Sequence, residues 1–202
     1  MLNTLLNHLS QRPHSQDSYN PYLVSEEWGR VRERNLQRYL SIMLDRQPKT
    51  LMLMEAPGYR GCRVTGIPVT SRKVMLGGIL GEGYEDTHEV GFEGYYSEQS
   101  ATIVWETLAN LQFTPLIWNT FPYHPHQTGN LHSNRTPRSS EVREGLEVLR
   151  LIFEVFQPQQ CIAVGNIAAR AFTQLDRAYI QVRHPAQGGK NEFVRGMRQR
   201  TQ

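Results

Sequence analysis

With 202 residues, 39% of them hydrophobic, the chain is long enough to bury one sizeable core, and it contains no apolar run of membrane-spanning length, so a soluble protein is expected. Its two cysteines, Cys62 and Cys161, stand far apart, which excludes a disulfide framework and, by themselves, a zinc or iron-sulfur ligand set. A net charge of +3 permits a polyanionic partner without requiring one.

Residues 1–24 are rich in Asn, Gln, Ser, His and Pro and are expected as a lead-in on the surface or partly disordered. They lack the charged and continuous apolar regions of a secretory signal, so a cytoplasmic location is the default expectation. Residues 25–202 are expected to form a single domain. Ser25-Glu26-Glu27 opens a helix towards Leu44, with Trp28, Val31, Tyr39, Leu40 and Met43 facing inward and Arg30, Arg32, Arg34 and Arg38 on a solvated face. Leu51 to Met54 has the length of a buried strand and stops at Glu55-Ala56-Pro57-Gly58, an acid followed by a turn. Gly77 to Gly94 predicts an irregular excursion or a short hairpin. It holds no phosphate-cradling glycine motif, so nucleotide triphosphate use is unsupported.

Ser97 or Ser100 caps a helix reaching Leu111, and Pro115 to Asn119 forms the second strand, ending in a loop of Pro, His, Gly and Asn through Pro137. A helix from Ser139 or Ser140 runs to Phe156. Cys161 to Val164 is a third strand passing into an alanine-rich helix, Ile167 to Leu175. Tyr179 to Val182 is a fourth strand that ends in Arg183-His184-Pro185, followed by a polar, basic segment from Gln187.

This alternation predicts an α/β fold, a three-layer α/β/α sandwich around a four-stranded parallel sheet. In such a sheet Glu55, Asn119 and His184 all emerge beyond the carboxyl edge, where ligands bind. Each alone has ordinary structural uses; their equivalent positions are what point to a site. The tract His124, His126, His132 invites a metal reading, but its irregular spacing and lack of a nearby cysteine argue against one. No metal or cofactor is expected.

Four short motifs then fall in order: Glu55-Ala56-Pro57-Gly58 with Thr65-Gly66-Ile67-Pro68-Val69; Asn119 with Pro122 and Asn134-Arg135-Thr136-Pro137; Val164-Gly165-Asn166-Ile167-Ala168; and His184-Pro185. In these the sequence resembles the uracil-DNA glycosylase superfamily, most of all its bacterial and archaeal family-four type, over roughly Leu51 to Lys190. The resemblance implies a monofunctional, monomeric DNA glycosylase of base excision repair, hydrolysing the N-glycosidic bond of uracil or a related deaminated base. It implies DNA as partner and a base flipped out of the stack.

By the same resemblance Glu55 serves the water or the oxocarbenium-like sugar, and His184 donates a hydrogen bond to the base oxygen. Asn119 complements the O4 and N3-H edge of uracil, and Ala56, Gly58, Tyr59 and Val69 shape the base pocket. Arg60, Asn134, Arg135, Arg183 and Lys190, with backbone amides near Ser71 and Gly188, are the expected DNA contacts. Three departures stand out. Two cysteines replace the four that hold a family-four cluster, Met54 replaces a glycine, and Val69 replaces the aromatic that stacks on uracil. Tyr59, Phe121 or Tyr123 is a substitute wall. A catalytically inactive nucleic-acid-binding module on the same fold is the alternative reading, and an unrelated hydrolase of a small nucleoside is a third.

Overall fold

Four short apolar runs lie side by side in the computed structural model, which describes residues 1–200. In chain order the elements are α1 (Leu2–Gln11), β1 (Ser18–Tyr19), α2 (Glu27–Arg46), β2 (Thr50–Met54), α3 (Cys62–Thr65), α4 (Arg72–Leu76), α5 (Gln99–Asn110), β3 (Leu116–Asn119), β4 (His124–Pro125), α6 (Ser139–Phe156), β5 (Gln160–Val164), α7 (Asn166–Gln174), β6 (Ile180–Val182) and α8 (Lys190–Arg198). The main sheet has the order β3-β2-β5-β6, with every pairing parallel. Helices flank this sheet, as the alternating pattern predicts. The order sends the chain from β2 one way to β3 and then back across to β5 and β6, so right-handed crossovers put α5 on one face and α6 and α7 on the other.

Every residue of β2 is buried, as befits a central strand covered on both faces. The β3 edge is closed differently. Tyr39 of α2 has its hydroxyl between the backbone groups of Ile117, accepting from the N-H at 2.8 Å and donating to the C=O at 3.2 Å. One side chain thus satisfies a strand edge that would otherwise template pairing with another chain.

Three sequence expectations are corrected. The first 24 residues are no loose lead-in: Leu2, Leu5, Leu6 and Leu9 recur at helical spacing, and α1 buries the last three against α2 and α6. Beyond α1, the buried amide of Asn20 donates to the carbonyls of Leu9 and Arg12, both at 2.8 Å, and Arg12 pairs with Glu144 of α6 at 2.6 Å. The second correction is Arg32, expected on a solvated face. It is wholly buried and shares the Glu89 carboxylate with Arg63, which is buried too. Thirdly, the basic segment after Gln187 contains α8, whose Phe193 and Met197 enter the core.

Replacing Leu9 by Ala is expected to cost about 2–5 kcal/mol in urea unfolding, as for other fully buried leucines. A loss within about 0.5 kcal/mol would mean that α1 is peripheral.

Glu89→Gln leaves two buried guanidiniums without a countercharge and should cost about 3–5 kcal/mol in the same measurement. Burial alone would raise the Glu89 carboxyl, but Arg63 and Arg32 outweigh it and hold the group below its ordinary value of 4.5. The contribution of Glu89 is therefore present above that value and is lost as pH falls through the lowered one. The variant should accordingly lose less stability than the parent on acidification, which unfolding curves across that range will measure.

Candidate active site

The register of the sheet decides what meets at its carboxyl edge. Met54 pairs with Asn119 and Val164 with Val182, so the ends of all four strands are level. The bonding continues a step beyond them: Thr120 N-H donates to Met54 C=O at 2.8 Å and Phe121 N-H to Glu55 C=O at 3.1 Å. A cavity of about 1190 Å³ opens there. Glu55, Ala56 and Gly58 line it from the loop after β2, Gly165 and Asn166 from the end of β5, and Arg183 and His184 from the end of β6. Gly165 has φ +87°, a left-handed conformation costly to other residues, and a Cβ there would stand 3.3 Å from that of His184. Glycine thus lets the last loop close onto β5.

Glu55 is half-buried, and burial pushes its carboxyl above the ordinary 4.5, partly offset by a hydrogen bond from Thr136. His184 moves the other way. Burial first, and the charge of Arg183 second, hold its imidazole below 6.5, so it is neutral at physiological pH. Its Nδ1 accepts the N-H of Ala186 at 3.1 Å. In the neutral ring that bond places the proton on Nε2, leaving one N-H donor for the cavity that His184 lines.

Asn119 sits deeper than the base-reading role suggests. It is 2% exposed and does not reach the cavity surface; its Nδ2 lies 3.8 Å from Sγ of Cys62, which does. Its Oδ1 is buried and, among the described residues, has no hydrogen-bond partner. The loop from β2 to α4 is held from several sides. His124, buried and neutral, has Nδ1 2.8 Å from the Pro57 carbonyl, and Thr65 Oγ1 donates to Thr70 C=O at 2.8 Å. Val69, on the cavity wall, has φ +53°, an uncommon conformation for a β-branched residue. The Nε1-H of Trp105 on α5 holds its carbonyl at 2.9 Å.

The expected DNA contacts divide. Arg183 lines the cavity and is exposed. Tyr59, Arg60, Asn134 and Lys190 line an adjoining groove of about 650 Å³. Arg135 is not the free cation expected: it makes two bonds to Glu141 at 2.7 and 2.8 Å and a third to the Asp17 carbonyl at 2.8 Å. Ser71 is wholly buried, and neither it nor Gly188 lines either space. The substitute walls Phe121 and Tyr123 are buried against each other, which leaves Tyr59 as the partly exposed one.

Sequence reasoning missed two residues. Arg170, exposed on α7, joins the cavity rim; lying amid alanines, it gave only a helix signal. Glu98 lines both the cavity and the groove, and burial pushes its carboxyl up to about 7. Acids are common at helix starts, so its position gave no signal.

The thiols do not suit a four-cysteine cluster. Cys62 on α3 is buried against Tyr22 and Asn119, with burial pushing it up to about 12, and Cys161 lies in β5. Among the described residues no group of three His, Cys, Asp or Glu suits a metal ion. Likewise, no helix among them is long and apolar enough to cross a membrane.

A search of the curated proteins finds no match to this chain. Among solved structures, wild-type SMUG2 of Pedobacter heparinus superposes with a TM-score of 0.65 at 13% identity, over 97% of this chain and 94% of that one, a likeness of fold. The family model described as "Uracil DNA glycosylase superfamily" matches residues 43–199, which takes in every element that lines the cavity. The chain belongs to the uracil-DNA glycosylase superfamily.

Proposed function

We propose that the protein is a monofunctional DNA glycosylase, hydrolysing the N-glycosidic bond of uracil or a related deaminated base, and that it works as a monomer in the cytoplasm. The observation that carries this reading is that Glu55 and a neutral His184 with its proton on Nε2 line one cavity at the sheet's carboxyl edge. Breaking that bond leaves positive charge on the sugar and negative charge on the departing base. A carboxylate beside the sugar stabilises the first and accepts a proton from the attacking water. An N-H aimed at a base oxygen stabilises the second. Among the described residues no lysine lines the cavity, which favours hydrolysis by water over attack by an amine. The exposed cations Arg170 and Arg183 on the rim, with Arg60 and Lys190 along the groove, suit a phosphate backbone whose target nucleotide has flipped inward.

Single-turnover release of base from a uracil-containing oligonucleotide tests the reading. Glu55→Gln should slow release about 100- to 10,000-fold while leaving DNA affinity nearly unchanged. Absence of release by the parent from uracil, hypoxanthine and xanthine substrates would leave the non-catalytic binding module, which Val69 favours, as the better account.

Because Glu55 acts as a carboxylate with a raised pKa, the parent rate should have an acid limb set by Glu55. It should fall about tenfold per pH unit below that raised value, which lies above the ordinary 4.5. Arg183→Ala should weaken binding to uracil-containing and undamaged DNA alike and reduce the slope of log affinity against log salt by about 1.

A further inference from the structure

We propose that Glu98 is a base-contacting residue, its carboxyl bonding the lactam edge, a ring C=O beside an N-H, of the base that the cavity receives. The proposal rests on the glycosylase reading and deepens it by naming the chemical edge recognised.

Glu98 is the N-cap residue of α5, yet its side chain makes no capping bond. The carboxyl instead lies against the loop after β2, where a Cβ on Gly58 would come within 2.2 Å of Oε1 and one on Gly61 within 2.1 Å of Oε2. Two glycines therefore make room for this one acid. It is half-buried on the surface shared by the cavity and the groove. Its neighbours include Cys62 of α3 and Tyr59 and Asn134 of the two loops, while Arg60, Lys73 of α4, Glu106 of α5 and Lys190 of α8 line the groove around it. Among the described residues none of these forms an ion pair or hydrogen bond with its carboxyl. A carboxyl so placed, unlike an ordinary buried acid, is left for something that enters.

The chemistry defines what that is. With burial as the cause, the group sits near neutrality at about 7, so both its protonation states are within reach. A neutral carboxylic acid presents one O-H donor beside one acceptor oxygen. That pair is complementary to a lactam edge, which uracil, hypoxanthine and xanthine all carry and cytosine lacks. Asn119, lying behind Cys62, does not present its amide at this surface.

The experiment compares Glu98→Ala with Glu98→Gln, whose amide keeps a donor and an acceptor in the same place. Single-turnover release should fall about 100-fold in Glu98→Ala and stay within about tenfold of the parent in Glu98→Gln. Release by Glu98→Ala within about twofold of the parent overturns the proposal, as does a Glu98→Gln rate as low as that of Glu98→Ala, which marks a carboxylate acting as proton acceptor. A second arm measures binding to duplexes carrying uncleavable 2′-fluoro-deoxyuridine against undamaged duplexes. Glu98→Ala should abolish the preference and Glu98→Gln retain it; a preference retained by Glu98→Ala overturns the proposal. This arm needs no turnover, so if the parent releases no base the glycosylase reading fails while base contact by Glu98 is still decided by binding. Thermal unfolding checks both variants, and Glu98→Asp, which withdraws the carboxyl by one methylene, replaces Glu98→Ala if the latter does not fold.

Discussion

Two guanidiniums that water does not reach, those of Arg32 and Arg63, converge on the single carboxylate of Glu89, and the path of the chain from α4 into α5 depends on that convergence. Between α4 and α5 the chain has almost no regular structure of its own. It is fixed by side chains of α2, α3 and α4. Arg72, also buried, bonds Asp86 at 2.6 Å and the Phe92 carbonyl at 2.7 Å, and Asn35 exchanges bonds of 2.8 Å with the backbone of Glu85. Arg63 additionally lies 3.7 Å from the Phe92 ring centroid. Buried cations are costly unless almost every donor is matched, so this set specifies one path for the segment more than it adds stability. That path ends at the start of α5 and so delivers Glu98 against Gly58 and Gly61.

The electrostatics of the cavity follow a different rule from those of the loop between α4 and α5. In the loop, charges meet countercharges. Inside the cavity burial dominates: Glu55 and Glu98 are pushed up, and His184 is pushed down. The result is an interior biased towards neutral groups with donors and acceptors, rimmed by exposed arginines. An aromatic heterocycle with polar edges suits the first region and a polyanion the second, which is the division a nucleotide itself carries.

Much of this is legible in the sequence. Short apolar runs bounded by turns mark the four strands within a residue, most plainly β2 and β3, which have no exposed position to blur them. Parallel topology then brings Glu55 and His184 to one edge on the pattern alone. What stays hidden depends on partners distant in the chain. Arginine usually faces solvent, yet Arg32 stands one turn before Leu36 on the buried stripe of α2, and its countercharge Glu89 lies far along the sequence. Residues 1–24 have a polar composition, and their leucines show their value only when α6 lies beside them. Arg135 reads as a free cation although Glu141 stands close by in sequence, and its other acid, Asp17, lies far back in the chain.

Val69 and Glu98 are the two ends of one arrangement. Trp105, which holds the strained carbonyl of Val69, lies on α5, the helix whose N-terminus carries Glu98. A residue with φ +53° and a branched Cβ persists only where its surroundings over-determine it, and here the indole N-H does so. Where the resembled motif places an aromatic ring, this chain has a small side chain with a fixed backbone. Val69 and Glu98 both line the cavity. Loss of a stacking surface and gain of a donor-acceptor pair in the same cavity are compatible with holding a base by its edge instead of its face. Helix α5 supplies both, since moving it would release the Val69 carbonyl and withdraw the carboxyl together.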